Sequence, residues 1–325
     1  MPDSNVASSV IPIRATLTVC LLFFLPGLLC AQQAAHAGLA SFPADTQQVA
    51  YLDLAQLRSS PDYPQIRLHI LSQQLGGFQM FLRSVGIDPE KDIDELVLGW
   101  RGQTLSGPGS FGIAAGRFEP DRVQQFFGKT QLPAPSYAGY DLFAFGSGAD
   151  PEDTFFTFLD SSLAAFGRLH DLKALLDVRE GSAAGLERNE TFRGYETELE
   201  DSAPQWGILS GKAAANAAVP WLAGGKKTTV DMTAFLEPVQ AVLYRVDWDG
   251  GFTAHISVVC KTPETAAGLL QLLNILKSAP AGSTSGSGSG APSLLQNLDA
   301  RQNESRLELS ASGPADALDQ FLKVD

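Results

Sequence analysis

One apolar run near the end of the chain carries residues with the chemistry of a hydrolytic site. His255 offers a base, Ser257 a hydroxyl and Cys260 a thiol, the groups that nucleophilic catalysis uses. Residues two apart on a strand share a face, so His255 and Ser257 stand together. Cys260, five positions beyond His255, points the other way. That geometry disfavours a Cys260–His255 pair within one strand. A triad completed by a distant acid stays open, because partners in space do not show in a sequence. Of the other histidines, His69 reads as a solvated helix position between Arg67 and Gln73, and His170 as a helix end beside Asp171. His36 falls at the boundary of an N-terminal leader.

The remaining chemistries each lack a part. Asp88, Glu90, Asp92, Asp94 and Glu95 form an acidic run with the oxygen ligands that calcium prefers. A calcium loop needs glycine at its sixth position, where Ile93 stands, and its twelfth ligand falls on Gly99. The run reads instead as a capped turn feeding a strand. Gly207-Ile208-Leu209-Ser210-Gly211-Lys212-Ala213 is one residue short of a phosphate loop and has alanine where magnesium needs a hydroxyl. Gly224-Gly225-Lys226-Lys227-Thr228 lacks the spacing. Pro108-Gly109-Ser110-Phe111-Gly112 lacks the first glycine of a nucleophile elbow. No catalytic, metal or cofactor-binding residue is therefore assigned.

Aromatic residues are the stronger signal. Phe143, Phe145, Phe155, Phe156, Phe158 and Phe166 gather in the middle of the chain. Core packing accounts for such a cluster, and an apolar groove or patch is the functional alternative. Phe143, Phe155 and Phe158 are the candidate binding surface, with Asp160 and Arg168 as flanking polar groups.

The elements that must position these residues follow a leader. Arg14 is a lone positive charge before the apolar stretch Ala15 to Leu25, and Pro26-Gly27 breaks that stretch. Small residues follow at Leu29-Cys30-Ala31 and Ala35-His36-Ala37. This is the layout of a secretory signal, with cleavage expected after Ala37 and after Ala31 as the alternative. The apolar run is shorter than the roughly 20 residues of a spanning helix. An uncleaved anchor ranks second and a lipidated Cys30 third, Leu29 being a poor fit for the latter. Of three cysteines, a cleaved chain keeps only Cys260, so no internal disulfide forms.

The 325 residues are 44% hydrophobic and 18% charged, a globular composition. A formal charge of −13, with Lys226-Lys227 the only adjacent basic pair, argues against nucleic acid as a partner. The body divides at about Asp201 to Pro204 into residues 38–202 and 203–325. Glu119-Pro120-Asp121 and Thr262-Pro263-Glu264 open helices in corresponding places. Leu172, Leu175 and Leu176 align with Leu318, Phe321 and Leu322. The expected fold is α+β, with two related halves, each an antiparallel sheet with helices packed on one face. Asp249-Gly250-Gly251 marks a hairpin between Val239–Trp248 and Phe252–Cys260.

Phe42-Pro43-Ala44-Asp45-Thr46, the strand Val49 to Leu54 and the segment Gly86 to Asp94 resemble uncharacterised secreted bacterial proteins. The resemblance implies a leader, export and a large α+β body, often duplicated, and brings no activity with it. These readings converge on a non-enzymatic periplasmic or extracellular protein that binds a partner protein or an amphipathic ligand. An enzyme assembled in three dimensions and a structural envelope component are the competing classes.

Ala279 to Pro292 is a Gly/Ser-rich loop inside the second half. Loop closure depends on length only logarithmically. Shortening Gly282–Gly290 should therefore change unfolding free energy by less than about 1 kcal/mol in urea titrations.

Overall fold

The computed structural model describes residues 32–70, 73–101, 110–130, 132, 134–150, 152–199, 203–215, 236–278 and 298–315. The apolar leader, the Gly/Ser tract and the aligned positions Leu318, Phe321 and Leu322 lie outside them.

The described chain opens with helix α1 (Gln33–Ser41) and strand β1 (Gln48–Asp53). Asp53 ends β1 and caps α2 (Leu54–Ser59), its Oδ1 accepting the Gln56 N–H at 2.7 Å. Helices α3 (Tyr63–Ile70), α4 (Gln73–Ser84) and the single turn α5 (Pro89–Asp92) follow. β2 (Ile93–Trp100) and β3 (Ser110–Gly116) lead to α6 (Pro120–Thr130). A small hairpin, β4 (Ser136–Tyr137) and β5 (Tyr140–Asp141), precedes β6 (Phe143–Phe145), β7 (Thr154–Phe158) and β8 (Leu163–Arg168). Helices α7 (Leu169–Arg179) and α8 (Glu190–Leu199) complete the first half. In the second half come β9 (Gln205–Ser210), β10 (Val239–Trp248), β11 (Phe252–Cys260), α9 (Pro263–Ser278), β12 (Asp299–Asn303) and β13 (Arg306–Gly313).

Eleven of these strands make one sheet in the order β12-β13-β11-β10-β9-β1-β2-β3-β8-β7-β6, and its neighbours pair antiparallel. The sequence reading gives each half a sheet of its own. The backbone instead pairs β1 with β9 from Gln48↔Leu209 to Leu52↔Gln205, so the two sets of strands are continuous. Tyr51 and Trp206 face each other in this seam, with ring centroids 5.3 Å apart, and both are buried.

Helices cover both faces, which corrects the one-face expectation. Tyr51, Val97, Ile113, Ala165 and Trp206 point to one side and pack with Leu39 of α1, Leu172 and Leu175 of α7, and Phe192 of α8. Their strand neighbours point to the other side. Leu52 meets Leu57 of α2 and Ile66 of α3, Ala114 meets Phe127 of α6, and Val258 meets Leu269 of α9. The cause is visible in β3 and β9, each buried at consecutive positions. A strand buried on both faces lacks the alternation that marks one wet side.

Helix α1 lies on β2 and β3. Gly38 makes the approach possible, because a Cβ there would stand 2.7 Å from Cγ1 of Val97. Its first turn rests on a buried carboxylate, Glu95 of β2, which accepts the Ala34 N–H at 2.8 Å.

Because one sheet runs through both halves, unfolding should be a single cooperative transition. Trp206→Ala, at the seam, should lower stability by about 3–5 kcal/mol. Urea unfolding followed by circular dichroism and by tryptophan fluorescence checks this, and two separated transitions would contradict it.

Candidate functional site

The aromatic cluster sits at the β6 end of the sheet. Strand alternation turns Phe143, Phe145, Phe156, Phe158 and Phe166 to one face, where they meet Phe78 and Phe81 of α4 and Phe126 and Phe127 of α6. Phe127, Phe143 and Phe156 form the buried centre, with Phe127 and Phe143 centroids 4.9 Å apart and Phe143 and Phe156 5.4 Å apart. These lie within the 4.5–7 Å span of favourable ring pairs. Phe78, Phe81, Phe126, Phe145, Phe158 and Phe166 are only half-buried around that centre. Met80, on the outward side of α4, is 69% exposed.

Of the three candidate surface residues, two share this cluster: Phe143 and Phe158, 6.1 Å apart. Phe143 is core rather than surface, and Phe158 is the half-buried member. Phe155 points through the sheet to the opposite face and is buried there against the α1 and α7 side. Its position between Thr154 and Phe156 dictates this, since adjacent strand residues alternate. Of the flanking groups, Arg168 pairs with Glu152, and Asp160 closes the turn before β8 by accepting from Ser162 and Leu163. Ala37, the expected last residue of the leader, stands inside α1 and packs against the core.

Beside the cluster is an open cleft of about 580 Å³, lined by Arg58, Glu90, Lys91, Asp92, Arg117, Phe118 and Glu119. Phe118 links the two, for it lines the cleft and lies 5.7 Å from the Phe158 ring. Glu90 and Asp92 of the acidic run line the cleft, and the carboxylates of that run are engaged. Asp88 caps α5 and pairs with Lys91 at 3.2 Å. Glu90 accepts the Tyr63 hydroxyl at 2.6 Å and pairs with Arg67 at 2.8 Å. Burial, together with the Glu90 carboxylate, pushes the Tyr63 phenol up to about 12. Asp92 accepts the Asp88 N–H at 2.6 Å, and Asp94 pairs with Arg58 at 3.0 Å. Lys91, Arg117 and Glu119 are exposed charges of the cleft, their side chains 79%, 78% and 76% exposed.

The hydrolytic candidates do not assemble into a relay. Ser257 donates to Glu308 at 2.9 Å across β11 and β13, and Arg306 reaches the same hydroxyl at 3.4 Å while pairing with Glu198 of α8. The serine proton is thus turned toward a carboxylate. Among the described residues no hydrogen bond joins His255 to Ser257; His255 stands across from Arg245 and Ser310. Cys260 faces the α9 side, buried with Val258. His170 lies 3.2 Å from buried Asp171, which also faces Arg101 at 3.6 Å. Among the described residues no helix is long and apolar enough to cross a membrane.

No protein-family model and no curated protein matches the chain. Similar solved structures include crystal forms I and IV of TP0453. They are 10% and 8% identical, each with a TM-score of 0.49, and the match covers 87% of this chain and 95% of that one.

Burial pushes the Cys260 thiol up to about 11. At pH 8 the thiolate is then scarce as well as enclosed. A disulfide-exchange reagent should label the folded protein far more slowly than the urea-unfolded protein, and equal rates would contradict the packing described.

Proposed function

We propose that the protein is exported to the periplasm or beyond and binds an amphipathic ligand without transforming it. The observation that carries this reading is the junction at Phe118. There a half-buried phenylalanine cluster meets a cleft with charges of both signs. Ligand sites combine apolar walls with a few polar groups that fix orientation. A ligand chain would lie along Phe158 and the rim of the cluster. A zwitterionic head suits a lining that mixes Arg58, Lys91 and Arg117 with Glu90, Asp92 and Glu119.

The two halves are read as a duplication. From the seam outward the first half runs β1-β2-β3-β8-β7 and the second β9-β10-β11-β13-β12. In both, the third strand leads to a helix opening on proline, Pro120 or Pro263. Corresponding strands that pair antiparallel at the seam are what a local twofold axis produces. The phenylalanine cluster lies in the first half, which fits a ligand site gained on one copy.

The test uses full-length protein produced with its leader and purified from the exported fraction. A fluorescent long-chain lipid analogue with a zwitterionic head is titrated into it. Phe158→Ala and Arg117→Ala should each weaken binding by about 1–3 kcal/mol, the range for an anchoring contact. His255→Ala combined with Ser257→Ala should leave affinity unchanged. Absence of saturable binding would sink the reading, as would a turnover abolished by His255→Ala in a folded protein.

A further inference from the structure

The small residues Ala34, Ala35, Ala37 and Gly38 invite cleavage after Ala37, yet the fold uses them for packing. Ala34 and Ala35 are buried, Leu39 is buried beyond them, and Gly38 stands against Val97. Cutting after Ala37 would remove the first half of α1 and expose the core beneath it. The compact unit that the contacts define begins at Gln32, one residue past the alternative small-residue site at Ala31.

The start of α1 holds a second observation. Glu95 is 8% exposed, and burial pushes its carboxyl up. Its carboxylate accepts the Ala34 N–H at 2.8 Å, which places it against the first turn of α1, where the N–H groups of Gln33 and Gln32 also favour its charge, while Asp53, its cross-strand partner, opposes it. A buried carboxylate held by dipoles beside a like charge is an expensive arrangement without a cation. Gln32 is itself buried, and its φ of +66° is left-handed, a cost for a residue that is not glycine. An N-terminal residue has no φ, so a chain that began at Gln32 would carry no such constraint.

We propose that the leader is cut between Ala31 and Gln32, and that the new α-ammonium of Gln32 seats against the Glu95 carboxylate. Water adds across the Ala31–Gln32 peptide bond under a leader peptidase. Ala31 keeps the carboxylate, and the Gln32 nitrogen, released as an amine, takes up a proton. Processing thereby supplies Glu95 with a cation, where among the described residues no ion pair reaches it, at a helix N-terminus already favourable to that carboxylate. The mature body gains an ion pair that the precursor cannot form, so maturation tightens α1 onto β2. A seated ammonium is also a poor nucleophile, which protects the N-terminal glutamine from cyclising onto its own side-chain amide. This inference rests on export but not on the ligand reading.

The experiment is N-terminal sequencing and intact mass of the exported full-length product, followed by amine labelling. Sequencing should read Gln32-Gln33-Ala34-Ala35-His36 without loss of ammonia. An amine-selective reagent should modify the N-terminus of the folded protein about tenfold more slowly than that of the unfolded protein, the effect of raising the amine by one pK unit. Glu95→Gln should bring the folded rate close to the unfolded one, and a gain of cyclised product should accompany it. If that variant fails to fold, the wild-type comparison still decides. A start at Gly38 or at a lipidated Cys30 would overturn the processing site while leaving export intact. An intact Met1 would overturn export as well. A Gln32 amine labelled equally fast folded and unfolded would overturn the ion pair.

Discussion

The pairing of β1 with β9 is the constraint on which the rest of the molecule depends. It turns two sets of strands into one sheet and makes the central strands dry on both sides. Trp206 occupies that seam, and among the described residues its indole N–H has no hydrogen-bond partner. An unpaired buried donor costs about 1–3 kcal/mol. Burying a ring of roughly 150–250 Å² at about 25 cal/mol per Å² contributes on the order of 4–6 kcal/mol. The ring outweighs its polar atom, and Tyr51 stacked on it adds to the balance. Neighbouring positions are shaped around the seam as well. Gly207 leaves room for Tyr244, whose ring carbons would lie 2.4 Å from any Cβ there.

Residues with chemical potential are absorbed by this architecture. The acidic run from Asp88 to Glu95 looks like a cation site in one dimension. In space its carboxylates point to different partners, a consequence of a single helical turn running directly into a strand. Asp88 and Asp92 close the turn, Glu90 and Asp94 hold arginines on α3 and α2, and Glu95 reaches α1 on the far side of the sheet. Ser257 is drawn into a Glu308–Arg306–Glu198 chain that ties β11 and β13 to α8. That hydroxyl joins the two strands through Glu308, and among the described residues no hydrogen bond brings His255 to it.

Local features were legible where a local cause produces them. Pro120 and Pro263 open helices where the sequence places them, and Gly250 and Gly251 adopt positive φ in the expected hairpin. What escaped depends on distant partners. Nothing in Gln48–Asp53 announces that β9 is its second neighbour, beside β2 of its own half. The union of Phe78 and Phe81 with Phe145 joins segments about sixty residues apart. Phe155 was misassigned for a simpler reason, since composition counts rings and the strand then deals them to opposite faces. The start of α1 was ambiguous in principle, because small residues serve equally a peptidase subsite and a helix lying close to a sheet.

The position of the phenylalanine cluster follows from the same sheet. At the seam, helices press on both faces and every strand has two long neighbours, so local opening there approaches global unfolding. At the other extreme β6 is three residues long and pairs with β7 alone among the described residues. A short edge strand leaves few backbone bonds to break, and the rings above it are half-buried because α4 and α6 cover a margin rather than a centre. Separating α4 from that margin would expose rings without disturbing Tyr51 or Trp206. The gradient from seam to edge leaves the half-buried rings beside the charged cleft, with Phe118 common to both.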